Sequence, residues 1–201
     1  MKRKLMYSIP IVALAALAPI GLSLAQEGAD AENSSRWHKK TFTVYVAIDG
    51  ASGTFNTADP GRPYPPNPTL RGDTLVVDGT IYPANHPLPS GFASNDPNEP
   101  GGIGRILCRG VFLTSGADFT TPAITYITEL YMFSDPANSL IADGIAPNFG
   151  LANKRPVLGG TGRFKYAVGD LLEEELGANK SGGCNLKVTF SLRKAIHEGE
   201  D

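Results

Sequence analysis

Along most of the chain, apolar and polar side chains alternate in short runs instead of recurring at helical spacing. The run TFTVYVAI (41–48) sets Phe42, Val44, Val46 and Ile48 against Thr43, Tyr45 and Ala47, the period-two pattern of a strand with one face in a core. DTLVVDGTIY (73–82), RILCRGVFL (105–113), AITYITELYMF (123–133), SLIADGIA (139–146), RFKYAVGDLLEEEL (163–176) and NLKVTFSLRKA (185–195) repeat it. β-Branched and aromatic residues fill these runs, and turn residues separate them. SDPANS (134–139) marks a hairpin turn between two of them. Within 163–176, Phe164, Tyr166 and Val168 share a face, and the segment LLEEEL reads as strand fading into loop. Seven or so strands without a convincing helix predict an all-β, antiparallel sandwich or barrel. Closure into a barrel removes the apolar edges that such strands otherwise expose.

The ends depart from this pattern. Lys2, Arg3 and Lys4 precede an apolar run from Leu5 to Leu22, and Ser23-Leu24-Ala25 supplies the small residues of a cleavage site. This predicts a signal peptide over 1–25, cleavage after Ala25, and a secreted or periplasmic protein. Pro10 and Pro19 inside the run argue against a retained membrane anchor. Residues 26–40 form a polar N-terminal arm with Trp37 as its large apolar group, residues 41–196 the barrel domain, and residues 197–201 an acidic tail. Two long connections, Asp49 to Gly72 and Pro83 to Gly104, are dense in proline and glycine. Such loops serve as binding lids or as structural wraps and subunit contacts, and the sequence leaves both readings open.

Charge narrows the partners. The chain has 18 Lys+Arg against 20 Asp+Glu, and signal cleavage removes only basic residues. An acidic chain without a basic cluster is a poor match for nucleic acid or an anionic membrane. Two cysteines in an exported protein predict a Cys108–Cys184 disulfide. There is no CxxC and no Cys/His cluster at zinc spacing, so no metal site is expected. His38, His86 and His197 fall in the arm, a loop and the tail, away from the core strands on which an oriented triad is built. The Glu173–Glu175 run reads as a solvated charge run. Glu129 shares strand parity with Ile127, Tyr131 and Phe133. Either that face is outward and Glu129 is solvated, or the carboxylate lies inside, where its cost calls for a partner or a use. If a pocket exists, Glu129 and Tyr131 line it, with Tyr166 across the lumen. Arg109 points outward if Cys108 and Cys184 are bonded, because it neighbours Cys108 on the opposite face.

The stretch GGTGRFKYAVGDLL (159–172) concentrates backbone freedom at Gly159, Gly160 and Gly162, which makes a tight turn ahead of a strand. Gly169 inside that strand suggests a bulge, a barrel corner or a close approach. The turn, the Phe164–Ala167–Gly169 spacing, the preceding LIADGI and the final strand CNLKVTFSL together resemble the allene oxide cyclase and dirigent protein superfamily over the last third of the chain. The resemblance implies an eight-stranded antiparallel barrel around an apolar cavity, commonly trimeric, with the three glycines turning a barrel corner. It also implies no cofactor, an apolar or aromatic small-molecule partner, and cofactor-free cyclisation or coupling in the lumen. No catalytic residue of that superfamily transfers to a position here. The reading from another class is a non-catalytic surface or periplasmic assembly module that uses the barrel exterior and the proline-rich loops. A ligand-sized apolar cavity distinguishes the first reading, and a lumen filled by Phe42, Phe112, Phe164 and Phe190 the second.

Overall fold

A computed structural model describes residues 37–59, 61, 69–116, 123–135, 137–147 and 152–195. The expected signal segment, most of the arm and the acidic tail lie outside the described residues. Eight strands follow in chain order: β1 (Trp37–Asn56), β2 (Thr74–Pro83), β3 (Gly104–Phe112), β4 (Ile124–Phe133), β5 (Ser139–Pro147), β6 (Asn153–Gly160), β7 (Ala167–Ala178) and β8 (Cys184–Ala195). Each pairs antiparallel with its neighbours, and β8 returns to β1 to close the barrel. Seven of these strands coincide with the alternating runs. β1 starts at Trp37, so the last residues of the expected arm pair with β8 from Ala195 to Leu192. β7 continues to Ala178 through the LLEEEL segment, paired along its length with β8.

The eighth strand, β6, is the one that the alternating runs do not contain. Its sequence, NKRPVLGG, is polar and holds a proline, a combination that argues against a central strand. Pro156 is accommodated because β5 and β6 pair at only Leu140–Gly160, Ile141–Gly159 and Ala142–Val157, across a register shift. On the β5 side the ladder stops short of Pro156, while on the β7 side Pro156 lies opposite Asp170.

Inward rows are continuous around the barrel. Val44 and Val46 of β1, Ile81 of β2, Ile106 of β3, Leu140 of β5, Leu171 of β7 and Val188 of β8 form one buried core. The connection after β2 lies against the outer wall. Tyr82 donates its hydroxyl to the Glu99 carbonyl, the Gly91 and Ala93 amides donate to the Leu176 and Ala178 carbonyls, and Leu88 is buried against Ala47 and Tyr82. That loop is a structural wrap.

Two side-chain placements differ from expectation. Cys108 and Cys184 are free thiols, and no disulfide joins them. β3 and β8 are separated by β2 and β1, three interstrand spacings of about 4.8 Å each, whereas a disulfide needs Cα atoms within about 7 Å. Arg109 is exposed all the same, since an inward Cys108 alone fixes the parity. The second correction is Tyr166. A short 3-10 turn at Gly162–Phe164 buries Phe164, and Tyr166 follows with φ of 65° before β7 begins at Ala167. This left-handed residue breaks the parity read from Phe164 onward. Ala167 and Leu171 face inward, and Tyr166 is 46% exposed on the outside.

The chain reverses at the 3-10 turn Gly162–Phe164, whereas Gly159 and Gly160, expected in the turn, are still strand residues paired with Ile141 and Leu140. A Cβ on Gly162 runs into the Asn138 side chain and the Ala137 carbonyl of the β4–β5 turn, and one on Gly169 into the Ser191 carbonyl of β8. Gly169 therefore marks a close approach of backbones.

Candidate functional site

The register places four polar side chains on adjoining inward rows near the middle of the barrel. Glu129 lies beside Cys108 on β3 and Ala142 on β5, Arg155 beside Leu171, and Glu173 beside Asn153 and Val188. Tyr131 follows Glu129 one inward position further along β4. The Tyr131 hydroxyl donates to Glu129 Oε2 at 2.6 Å, and Arg155 Nη2 donates to the same oxygen at 2.7 Å and to Glu173 Oε2 at 2.8 Å. Glu129, Tyr131 and Arg155 are buried, and Glu173 keeps 16% side-chain exposure. Arg155 Nε and Nη1 and Asn153 Nδ2 are buried without a hydrogen-bond partner among the described residues.

Electrostatics gives these groups distinct roles. Burial, reinforced by the Glu129 charge, pushes the Glu173 carboxyl up to about 8, against the opposing pull of Arg155. Glu173 therefore keeps its proton at neutral pH, and a hydrogen bond to Glu129 adds to the effect. Burial lowers the Arg155 pKa, but Glu129, joined by Glu173 once it ionises, outweighs it and holds the guanidinium as a cation. Tyr131 is raised well above the ordinary phenol range by burial and then by Glu129, so it remains a neutral donor. Burial and the Glu129 charge likewise raise the Cys108 thiol. The cluster is thus a fixed cation, a carboxyl group that holds its proton near neutrality, and a phenol, all inside an apolar wall. A protonated carboxyl in that setting can donate a proton and take it back.

Above this cluster the lumen is aromatic. Phe42 stacks on Phe190 at 5.0 Å and on Phe164 at 5.9 Å, Phe133 lies 5.0 Å from Phe164, and Tyr131 meets Phe190 edge-on at 5.0 Å. Phe112 lies at the far end of β3, away from this group. A cavity of about 260 Å³ opens at the aromatic mouth beside Ile103, Phe133, Asp135 and Arg163. A shallow groove of about 350 Å³ runs over the outer wall beside Val76, Arg109, Val111 and Tyr126.

Of the side chains singled out from the sequence, Glu129 and Tyr131 come together in the lumen and Tyr166 does not. Arg155, Glu173 and Asn153 are additions of the structure. Arg155 was hidden in the proline-bearing strand, although Asn153, Arg155 and Val157 alternate with Lys154, Pro156 and Leu158 there. Glu173 was hidden in the acidic run, of which only part is solvated. Glu174 faces out and takes a 2.8 Å ion pair from Lys187, while Glu173 keeps the parity of Leu171.

The fold is shared with known barrels. The pterocarpan synthase dirigent protein GePTS1 superposes with a TM-score of 0.59 at 12% identity, over 80% of this chain and 92% of that one. An exo-specific intermolecular Diels-Alderase, AbnU, gives 0.51 at 12% identity over 78% and 98%. The Diels-Alderase AbmU from Streptomyces koyangensis gives 0.50 at 15% identity over 85% and 74%. No family model and no curated protein matches the chain. At these identities the likeness is one of fold: the chain shares the barrel architecture of these proteins.

Proposed function

We propose that the barrel takes an apolar or aromatic small molecule into its lumen and guides a cofactor-free cyclisation or coupling there. One observation carries this reading: the Glu129–Tyr131–Arg155–Glu173 cluster is built into the inside of an otherwise apolar barrel. A buried ionic group of this kind contributes little stability compared with packed apolar residues. Perturbed ionisations of this sort concentrate at functional sites. In the proposed role Arg155 and Tyr131 hold a polar atom of the ligand. Glu173 supplies or accepts the proton, and Glu129 fixes Arg155 and Tyr131 in place. Shape and exclusion of water do the remaining work. Export after cleavage at Ala25 belongs to the same proposal, as does assembly into a homo-oligomer, a trimer by analogy with the fold.

The test is native mass spectrometry of protein purified from its source, looking for a retained small molecule, combined with Glu173→Gln and Glu129→Gln variants. Retention that disappears, or loses its pH dependence, in the variants supports the reading. A bare wild-type protein together with unchanged variants overturns it. A second reading, the non-catalytic assembly module, is favoured by the aromatic packing of Phe42, Phe133, Phe164 and Phe190 in the lumen. It is also favoured by the apolar side chains exposed on the outer wall, among them Tyr126, Ile141, Ile145 and Leu158. Under that reading the outer wall binds a subunit or partner, and the Glu129 and Glu173 variants assemble normally.

A further inference from the structure

The mouth of the barrel at the aromatic end is basic, in a chain whose net charge is −2. Lys39 and Lys40 lie near the start of β1, Arg163 sits within the 3-10 turn with Lys165 just after it, and Arg193 and Lys194 lie near the end of β8. The ladder sets Lys39 opposite Arg193, and Lys194 opposite Ala167. Three of these cations belong to the mouth itself. Lys40 has the parity of inward Phe42 and Val44, and Lys194 that of inward Phe190 and Leu192, so each extends a core row to the rim. The Lys40 ammonium lies 5.7 Å from the Phe42 ring centre. The Arg163 guanidinium lies over Phe164 at 4.7 Å and Phe133 at 5.2 Å, and lines the cavity of about 260 Å³. The acid in that cavity, Asp135, already accepts from the Ala137 amide at 3.0 Å and from Asn138 Nδ2 at 2.8 Å.

We propose that this mouth binds an organic anion with an aromatic or apolar body, the acidic group held by Lys40, Arg163 and Lys194 and the body against Phe42, Phe133 and Phe164. The proposal rests on the lumenal-binding reading above and narrows its ligand class to amphiphilic anions. Cations around an apolar concavity focus the field and raise the local concentration of anions. Stacking on two rings holds the Arg163 plane while leaving its N–H edges free for an oxyanion. The deeper Arg155 cation is already paired with Glu129 and Glu173, so the acidic group stays with the rim cations while the body points down the lumen. The two ends of the site thereby fix one orientation.

A matched pair of dyes tests this: anilinonaphthalene sulfonate and the sulfonate-free N-phenyl-naphthylamine, titrated into the full protein at low and high salt. The sulfonate is expected to bind about tenfold tighter at low salt, with an advantage that shrinks as salt screens it. The Lys40→Gln/Lys194→Gln variant is expected to lose about fivefold in sulfonate affinity, and Arg163→Gln more, with the neutral dye unchanged in both. Arg163→Lys retains part of the preference. Lys154→Gln, which breaks an outer-wall pair with Asp170, is expected to change nothing. Equal binding of the two dyes to wild type, or a preference indifferent to the mouth variants, overturns the proposal while leaving lumenal binding intact. Failure of both dyes to bind overturns lumenal binding and the proposal with it.

Discussion

The two halves of the lumen solve the problem of filling a barrel by different physics. At the mouth, Phe42, Phe133, Phe164 and Phe190 pack ring against ring, and their stabilisation comes from area removed from water plus aromatic contact geometry. One layer deeper, Glu129, Arg155 and Glu173 occupy the same inward rows with groups that are costly to bury. The first half is tolerant of shape changes and indifferent to pH. The second is held by three hydrogen bonds and one retained proton. The contrast assigns stability to the aromatic half and chemistry to the charged half, and it is open to direct attack.

The largest effect is expected from removing Arg155. Arg155→Ala leaves two carboxyls in an apolar wall without their cation, which costs about 3–5 kcal/mol for a buried pair broken on one side. The sharper version is the triple replacement Glu129→Leu, Arg155→Met, Glu173→Leu, which exchanges the buried ionic groups for apolar ones together. It is expected to be near neutral in stability or stabilising by about 1–4 kcal/mol, while ligand retention is lost. Urea denaturation measures both. A triple variant as unstable as Arg155→Ala makes the charged half a structural element, and the contrast fails.

The next effect is pH dependence confined to the charged half. The Glu173 carboxyl rises from its ordinary 4.5 to about 8 in the folded protein, so between those values the native state holds a proton that the unfolded chain has released. Its stabilisation is complete below about pH 4.5 and disappears as pH rises through about 8. The melting temperature should therefore fall from about pH 5 to about pH 9 in wild type, and this part of the slope should vanish in Glu173→Gln. Asp78 and Asp96 are lowered, so their contributions are lost only on acidification, outside that window. A slope that survives in Glu173→Gln assigns the proton elsewhere.

The same division explains what the sequence could reveal. Period-two alternation with β-branched and aromatic residues made β1 to β5 and β8 legible, because a strand with one face in a core must alternate. β6 was illegible because its inward row carries Asn153 and Arg155, groups whose burial is feasible only once Glu129 and Glu173 arrive from β4 and β7. Local pattern cannot express a partnership across three strands. The Glu129 and Tyr131 positions were readable as a polar intrusion on an apolar face, and the unresolved question of which way they point needed the closed barrel. Tyr166 failed for a local reason: one residue in the left-handed region flips every later side chain. The cysteines failed for a topological one, since pairing two thiols from their number alone ignores the strands between them.

The smallest effect tests whether the halves are as separate as the contrast claims. Phe190 is the seam, stacked on Phe42 at 5.0 Å on one side and met edge-on by Tyr131 at 5.0 Å on the other. Phe190→Leu keeps most of the apolar volume and loses the ring contacts, so it should cost no more than about 1.5 kcal/mol. If Tyr131 is positioned by its 2.6 Å bond to Glu129, the pH slope of stability in Phe190→Leu should match wild type. If the ring of Phe190 instead steers Tyr131, the phenol drifts from Glu129, and the hydrogen-bonded surroundings of Glu173 rearrange with it. The proton balance with Glu173 then shifts, and the slope moves along the pH axis. An unmoved slope at a small stability cost keeps aromatic packing and proton chemistry as independent parts of one lumen. A moved slope makes the aromatic mouth part of the chemical site, and any ligand that displaces Phe190 then also changes where the proton resides.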